Sequence, residues 1–150
     1  MAQAQRHSIV YLVSCVSKKR ARPACAKNLY DSELFKKARL YAEKSGHSWC
    51  ILSAEYGLVV PSRVVAPYDV TLSSMPVDQR KRWARRVFAQ LIRRFPNLNK
   101  VVFLAGAKYR EYLVQHMHLR NILVSVPMEG LRIGEQLRWL EGRLHSASGG

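Results

Sequence analysis

With 150 residues the chain (1–150) has room for one compact α/β-sized domain around a single core and none for a second. A composition of 48% hydrophobic and 23% charged residues excludes a disordered or fibrous protein. Charge is the outlier: 25 Lys+Arg against 10 Asp+Glu gives +15, a field that attracts polyanions, nucleic acid first among them.

In chain order, Ser8 to Ser14 is a near-continuous β-rich run of the kind found in strands buried on both faces. A basic loop follows. Asp31 and Ser32 then offer an N-cap, and Leu34, Ala38, Tyr41 and Ala42 recur at helical spacing until Gly46. Residues 49–53 make a second strand, and a Gly- and Pro-punctuated loop of some twenty residues comes after it. So long a loop in a small domain is usually functional. The second helix is predicted from about Pro76 to Phe95, with Ser73 or Ser74 as its cap and Pro96 as its stop. Residues 100–105 read as strand, 108–115 as helix, 122–126 as strand and 132–144 as an amphipathic helix. Strand and helix thus alternate four times. The expected fold is a single α/β domain with a mostly parallel sheet of four strands or slightly more, flanked by helices, and flexible ends at 1–7 and 146–150.

No apolar run approaches the roughly 18 residues of a membrane helix, and polar residues fill the stretch before Ser8. The expectation is a cytoplasmic protein with no membrane partner. Cys15, Cys25 and Cys50 are odd in number and widely spaced, which argues against a disulfide framework or a zinc knuckle. Nothing in the sequence asks for a metal or cofactor.

Ligands of open α/β sheets bind beyond the carboxyl ends of the strands, so the residues just after each strand are the candidates, and all are expected to face one cleft. Ser14, Cys15, Ser17, Lys18, Lys19 and Arg20 combine hydroxyls, a thiol and cations able to hold an anion; a solvated basic loop is the plain alternative. Cys15 reads more readily as a small buried hydrophobe than as a nucleophile. After the second strand, Ser53 precedes Glu55 and Tyr56, with Gly57 at the turn. Glu55 either acts as a general base, holds a base edge or pairs with an arginine; Tyr56 either stacks on a planar ring or caps the core. Tyr68 and Asp69 lie farther along, where the carboxylate caps, binds or accepts a proton. Gly106 permits close approach to a ligand, with Lys108, Tyr109 and Arg110 as donors beside it, or merely allows tight packing. Arg132 stands between Gly130 and Gly134 at the start of the last helix as a further anion contact or a surface residue. On the long helix, Trp83, Val87, Phe88, Leu91 and Phe95 share one face, while Arg82, Arg85, Arg86 and Arg93 gather opposite. Apart from Asp78, which can pair with Arg82, these arginines have no acidic partner one turn away, whereas a solvated face would interleave Glu with Arg, so this one is expected to meet a polyanion.

Three motif-bearing segments, Ser14-Cys15-Val16-Ser17-Lys18-Lys19, the run from Leu52 to Pro61 followed by Pro67-Tyr68-Asp69, and Leu104-Ala105-Gly106-Ala107-Lys108-Tyr109, resemble the YaaA-type peroxide-stress proteins, in particular their small bacterial and phage relatives of unassigned function. The resemblance implies a DNA-binding protein that limits oxidative DNA damage, with a deep cleft and a core similar to base-excision glycosylases. On that footing Lys18, Lys19 and the helix arginines neutralise phosphates, Tyr56 stacks, and Glu55 or Asp69 activates water for glycosylase-like N-glycosidic hydrolysis. The alternatives are a non-catalytic DNA-binding module for stress protection and an enzyme for a phosphorylated nucleotide or metabolite.

Overall fold

The computed structural model describes residues 8–148, with side chains as far as His145. The flexibility expected of 1–7 and 149–150 falls outside the described residues, whereas the backbone of 146–148 continues the last helix.

The elements in chain order are β1 (Ser8–Ser14), β2 (Ala24–Cys25), α1 (Ala26–Leu29), α2 (Glu33–Lys44), β3 (Ser48–Ser53), β4 (Gly57–Val59), β5 (Val64–Val65), a 3₁₀ turn (Leu72–Ser74), α3 (Val77–Arg94), β6 (Leu98–Leu104), α4 (Ala107–Leu119), β7 (Leu123–Ser125) and α5 (Ile133–Ser148). The central sheet has five strands in the order β4-β3-β1-β6-β7. Four are parallel, and β4 runs antiparallel at the edge. The expected α/β architecture is therefore present, one strand larger than four. That strand closes a hairpin: Ser53 pairs with Gly57 across residues 54–56, and the chain turns with Gly57 at φ +76°. A Cβ there would press on the end of the Gln90 side chain, whose Oε1 accepts a hydrogen bond from the Leu58 amide at 2.8 Å, and the positive φ itself requires glycine.

Burial follows the sequence pattern. Val10, Leu12 and Val13 of β1 are buried between β3 and β6, as a two-sided apolar strand must be. Each such side chain contributes about 1.5–3 kcal/mol of hydrophobic stabilisation. Ser32 caps α2, its Oγ accepting from the Phe35 amide at 3.0 Å. Helix α3 departs from expectation at its start: Pro76 is the N-cap, without a side-chain cap, and Ser73 and Ser74 belong to the preceding 3₁₀ turn. The hydroxyls of that turn are spent locally, Thr71 Oγ1 donating to Ser74 Oγ at 2.9 Å and Ser74 Oγ donating to the Thr71 carbonyl at 2.9 Å. Trp83, Val87, Phe88 and Leu91 are buried as the helical spacing predicts, and Phe95 packs against the core.

Helix α2 packs with α5, and α3 with α4. Right-handed crossovers place the two pairs on opposite faces of the sheet. The chain leaves β1 toward β3 on one side and later returns to build β6 on the other, so strand order reverses between β1 and β6. At such a switch point the loops leaving the two strands part and open a crevice.

Candidate active site and basic helix face

A cleft of about 390 Å³ occupies that crevice. Its walls are the end of β1 and the residues after it at 13–16, the first turns of α2 at Leu34 and Phe35, residues 103–107 with Tyr109 and Arg110, the β7–α5 loop with Met128, Glu129 and Leu131, and Gln136 in the first turn of α5. Volume and lining, mostly apolar with a few polar groups, fit a small-molecule or base-sized ligand. Arg110 is held against the wall: its Nε donates to the Ala105 carbonyl at 2.9 Å, and its guanidinium lies 3.8 Å from Glu129.

Of the residues singled out in the sequence, Ser14, Cys15, Gly106, Tyr109, Arg110 and Gly130 line this cleft. Cys15, 7% exposed, is fixed by its backbone amide donating to the Leu52 carbonyl at 2.9 Å, and its Sγ lies 3.1 Å from the Tyr109 hydroxyl. Behind it a second set gathers. Buried Ser53 donates through Oγ to the Tyr68 hydroxyl at 2.8 Å and accepts from the Tyr56 amide at 3.0 Å. The Tyr68 hydroxyl also lies 2.7 Å from that of Tyr30 and faces the Cys15 thiol. Trp83 locks this set to α3: its Nε1 donates to the Ser53 carbonyl at 2.9 Å, and its ring meets Tyr109 edge-on at 5.8 Å. Segments distant in sequence thus form one cluster of hydroxyls around a thiol.

The electrostatics follow from burial. Tyr30 is pushed up to about 12, and Tyr68 and Tyr109 are raised further, chiefly because a buried phenolate loses its hydration, with the charge of a Cys15 thiolate opposing ionisation as well. These phenols are hydrogen-bonding acids at neutral pH. Lys19 roofs the cluster, its Nζ 4.2 Å from the Tyr68 ring centroid and 5.8 Å from that of Tyr30. Burial lowers its pKa, against the opposing pull of Cys15 and Asp69. Cys50, by contrast, is pushed up to about 11 by burial and is chemically quiet.

The remaining candidates stand outside the cleft. The expectation that all four strand exits face it holds for β1, β6 and β7; the β3 exit folds back as a hairpin instead. Glu55 and Asp69 are both exposed, and neither lines the cleft. Glu129 is the carboxylate that does. Tyr56 donates its hydroxyl to the Ala66 carbonyl at 3.2 Å and carries Arg63 over its ring at 5.3 Å. Lys18 lies 4.0 Å from Asp31; Ser17, Arg20, Lys108 and Arg132 are exposed. Tyr30, Arg63 and Gln136 were given no role by sequence reasoning. Tyr30 and Gln136 stand in two further segments, Ala26 to Phe35 and Gly130 to Leu137, that resemble the small relatives of the YaaA-type proteins, while Arg63 carried no signal.

On the other side of Trp83, Arg82, Arg85, Arg86 and Arg93 are all exposed. The salt bridges among the described residues engage other groups: Lys18, Lys36, Lys37, Arg39, Arg80 and Arg110. Arg86 differs from the other three, since its NH2 donates to the Glu55 carbonyl at 2.9 Å and braces the β3–β4 hairpin. Arg80, on the buried side, pairs with Glu111 and ties α3 to α4. His116 stacks on Phe88 at 5.2 Å, a packing role. No group of three His, Cys, Asp or Glu side chains able to hold a metal occurs among the described residues, and no helix there is long and apolar enough to cross a membrane.

A family model matches residues 10–142, nearly the whole described chain, including both the cleft and the arginine face. The chain belongs to the family of unknown function DUF6884. It matches no curated protein and no solved structure. The DUF6884 match runs from β1 into α5, so the switch-point cleft is part of the family's common unit.

Proposed function

We propose that this DUF6884 protein binds nucleic acid, DNA first, by gripping the phosphate backbone with α3 and admitting a base or nucleotide to the β1/β6 cleft. The observation that carries the reading is the arginine face: Arg82, Arg85, Arg86 and Arg93 exposed along one side of α3, none in a salt bridge among the described residues, on a chain of net charge +15. Like charges one turn apart destabilise a helix by a few tenths of a kcal/mol per pair, a cost that a polyanion removes. The resemblance to YaaA-type proteins supports DNA as that polyanion and base processing in the cytoplasm as the setting. N-glycosidic hydrolysis on an extruded base is the reaction class that suits a base-sized cleft with one carboxylate, Glu129, in its wall.

The test is fluorescence anisotropy of labelled duplex DNA, single-stranded DNA and RNA of equal length across a salt series. Arg82→Ala, Arg85→Ala and Arg93→Ala together leave the hairpin brace at Arg86 intact. They are expected to make the slope of log K against log salt shallower by about 3, one step per lost phosphate contact. An unchanged slope would remove the arginine face from the interface.

The exposure of Glu55 and Asp69 outside the cleft favours a second reading, a binding module in which neither carboxylate activates water. Glu55→Gln and Asp69→Asn separate the two: base release from lesion-bearing duplex by wild type and its loss in either variant supports catalysis through that carboxylate. Binding without base release supports the module.

A further inference from the structure

Two side chains in the cleft wall keep hydrogen-bonding capacity that the fold does not use. Arg110 is fixed, its side chain 17% exposed and its Nε donating to the Ala105 carbonyl at 2.9 Å. Its two terminal nitrogens donate no hydrogen bond among the described residues. Its Nη1 stands 3.8 Å from Oε1 of Glu129, whose side chain is largely exposed. A hydrogen bond between nitrogen and oxygen spans about 2.7–3.2 Å, so the two attract one another across a gap without being bonded. Held apart in this way, the donor and the acceptors each have bonds to give to a third partner lying against both.

Arg110 and Glu129 are the charged residues among those described that line the cleft, one of each sign, and most of the remaining lining is apolar. A phosphate seated there would face the Glu129 carboxylate. An uncharged heterocycle with donors and acceptors along one edge satisfies both side chains and lays its ring on the apolar lining. The bases differ in how they answer the pair. Guanine offers N1–H and the N2 amino group side by side, two donors for the two oxygens of one carboxylate, and next to them the O6 and N7 acceptors that a guanidinium takes together. Adenine and cytosine each have one amino group, which leaves one carboxylate oxygen unanswered. Thymine sets its single N3–H between two carbonyl oxygens, which the carboxylate repels.

Resting on the reading above that the cleft admits a base, we propose that Arg110 and Glu129 read the edge of an extruded guanine. Glu129 accepts from N1–H and the N2 amino group, and Arg110 donates to O6 and N7. The substrate class of the cleft is thus a guanine base in DNA, selected by one ion pair that the base enters and bridges.

The experiment compares four duplexes of one sequence, differing in a single unpaired nucleotide, dG, dA, dC or dT, with the fully paired duplex. Binding is read by anisotropy at a salt concentration where most binding to the paired duplex is lost. An unpaired base leaves the stack at little cost, so the four duplexes differ chiefly in the edge they present. Wild type is expected to bind the dG duplex about tenfold more tightly than the dT duplex, in the range that one bidentate contact discriminates. The ratio of dG to dA affinity is expected to fall about tenfold in Glu129→Gln, whose carboxamide matches the N6 and N7 positions of adenine instead. Each ratio is taken within one protein, so the change in net charge cancels. A dG preference that persists unchanged in Glu129→Gln, or a preference of wild type for another base, overturns the proposal. Equal binding of the four, all more tightly than the paired duplex, also overturns it while leaving the base-admitting cleft standing. Equal binding of unpaired and paired duplexes at every salt concentration removes the cleft reading and the proposal together.

Discussion

The outer face of α3 and the cluster beneath Lys19 use polar groups in opposite ways. On that face Arg82, Arg85, Arg86 and Arg93 are exposed and in no salt bridge among the described residues, so their effect on a ligand is long-ranged, indifferent to sequence and screened by salt. In the cluster, Cys15, Tyr30, Ser53, Tyr68 and Tyr109 are withdrawn from water and hydrogen-bonded to one another at 2.7–3.1 Å. Their effect is short-ranged and depends on shape. One helix carries both regimes, because Trp83 faces the cluster while Arg82 and Arg85, one residue before it and two after, face solvent. The contrast teaches that affinity and selectivity in this protein can be altered separately.

The largest expected effect comes from removing the residue that joins the two regions. Trp83→Ala empties the contact with Tyr109 and leaves the Ser53 carbonyl without its donor; a loss of about 3–5 kcal/mol in stability is expected from urea unfolding. A loss under 1 kcal/mol would mean that the helix is held by its other contacts. Next in size is a pH effect confined to the cluster. The buried phenols have folded pKa values above their ordinary value of 10, with Tyr30 near 12. The stability this represents is fully present below about pH 10 and is lost as pH rises toward 12 and beyond. Lys19, with its pKa lowered, works in the other sense, gaining stability as the amine deprotonates. The three phenols outweigh it, so the urea midpoint is expected to fall between pH 9.5 and pH 11.5, and to fall less in Tyr30→Phe. The smallest effect is local: Tyr109→Phe removes the hydroxyl beside Cys15 Sγ and is expected to cost about 1 kcal/mol in stability. It should leave the salt slope of duplex binding unchanged, since Tyr109 lies in the cleft and not on the arginine face.

Much of this organisation was legible in the sequence because it rests on periodicity. The continuous apolar run of β1 and the 3.6-residue repeat of α3 decide burial locally, and the arginine stripe is the complement of the buried one. The residues after β1, β6 and β7 converge because the ends of parallel strands in such a sheet share one edge. Long-range pairing was not legible. Strand β4 is three residues long in a Gly- and Pro-rich stretch, and its existence depends on pairing with β3 rather than on propensity. Its hairpin carries Glu55 into solvent, which is why a carboxylate two residues past a strand end does not reach the cleft. Glu129 reaches it because the β7–α5 loop crosses the β1/β6 crevice, a path no local pattern encodes. Tyr30 enters the cluster through the bridge between its backbone and that of Lys19, again a tertiary event.

The claim that charge grips the backbone while the cleft accepts the base is tested most directly at high salt, where the arginine contribution is screened. Duplex DNA with one mismatched pair, whose base leaves the stack at least cost, and the same duplex fully paired would be compared by anisotropy at high salt, for wild type and for Leu131→Trp, which fills the cleft wall. The account predicts that wild type keeps a preference for the mismatched duplex after most binding to the paired duplex has been lost, and that Leu131→Trp erases the preference while binding both duplexes equally at low salt. Equal affinity of wild type for the two duplexes at every salt concentration would contradict it.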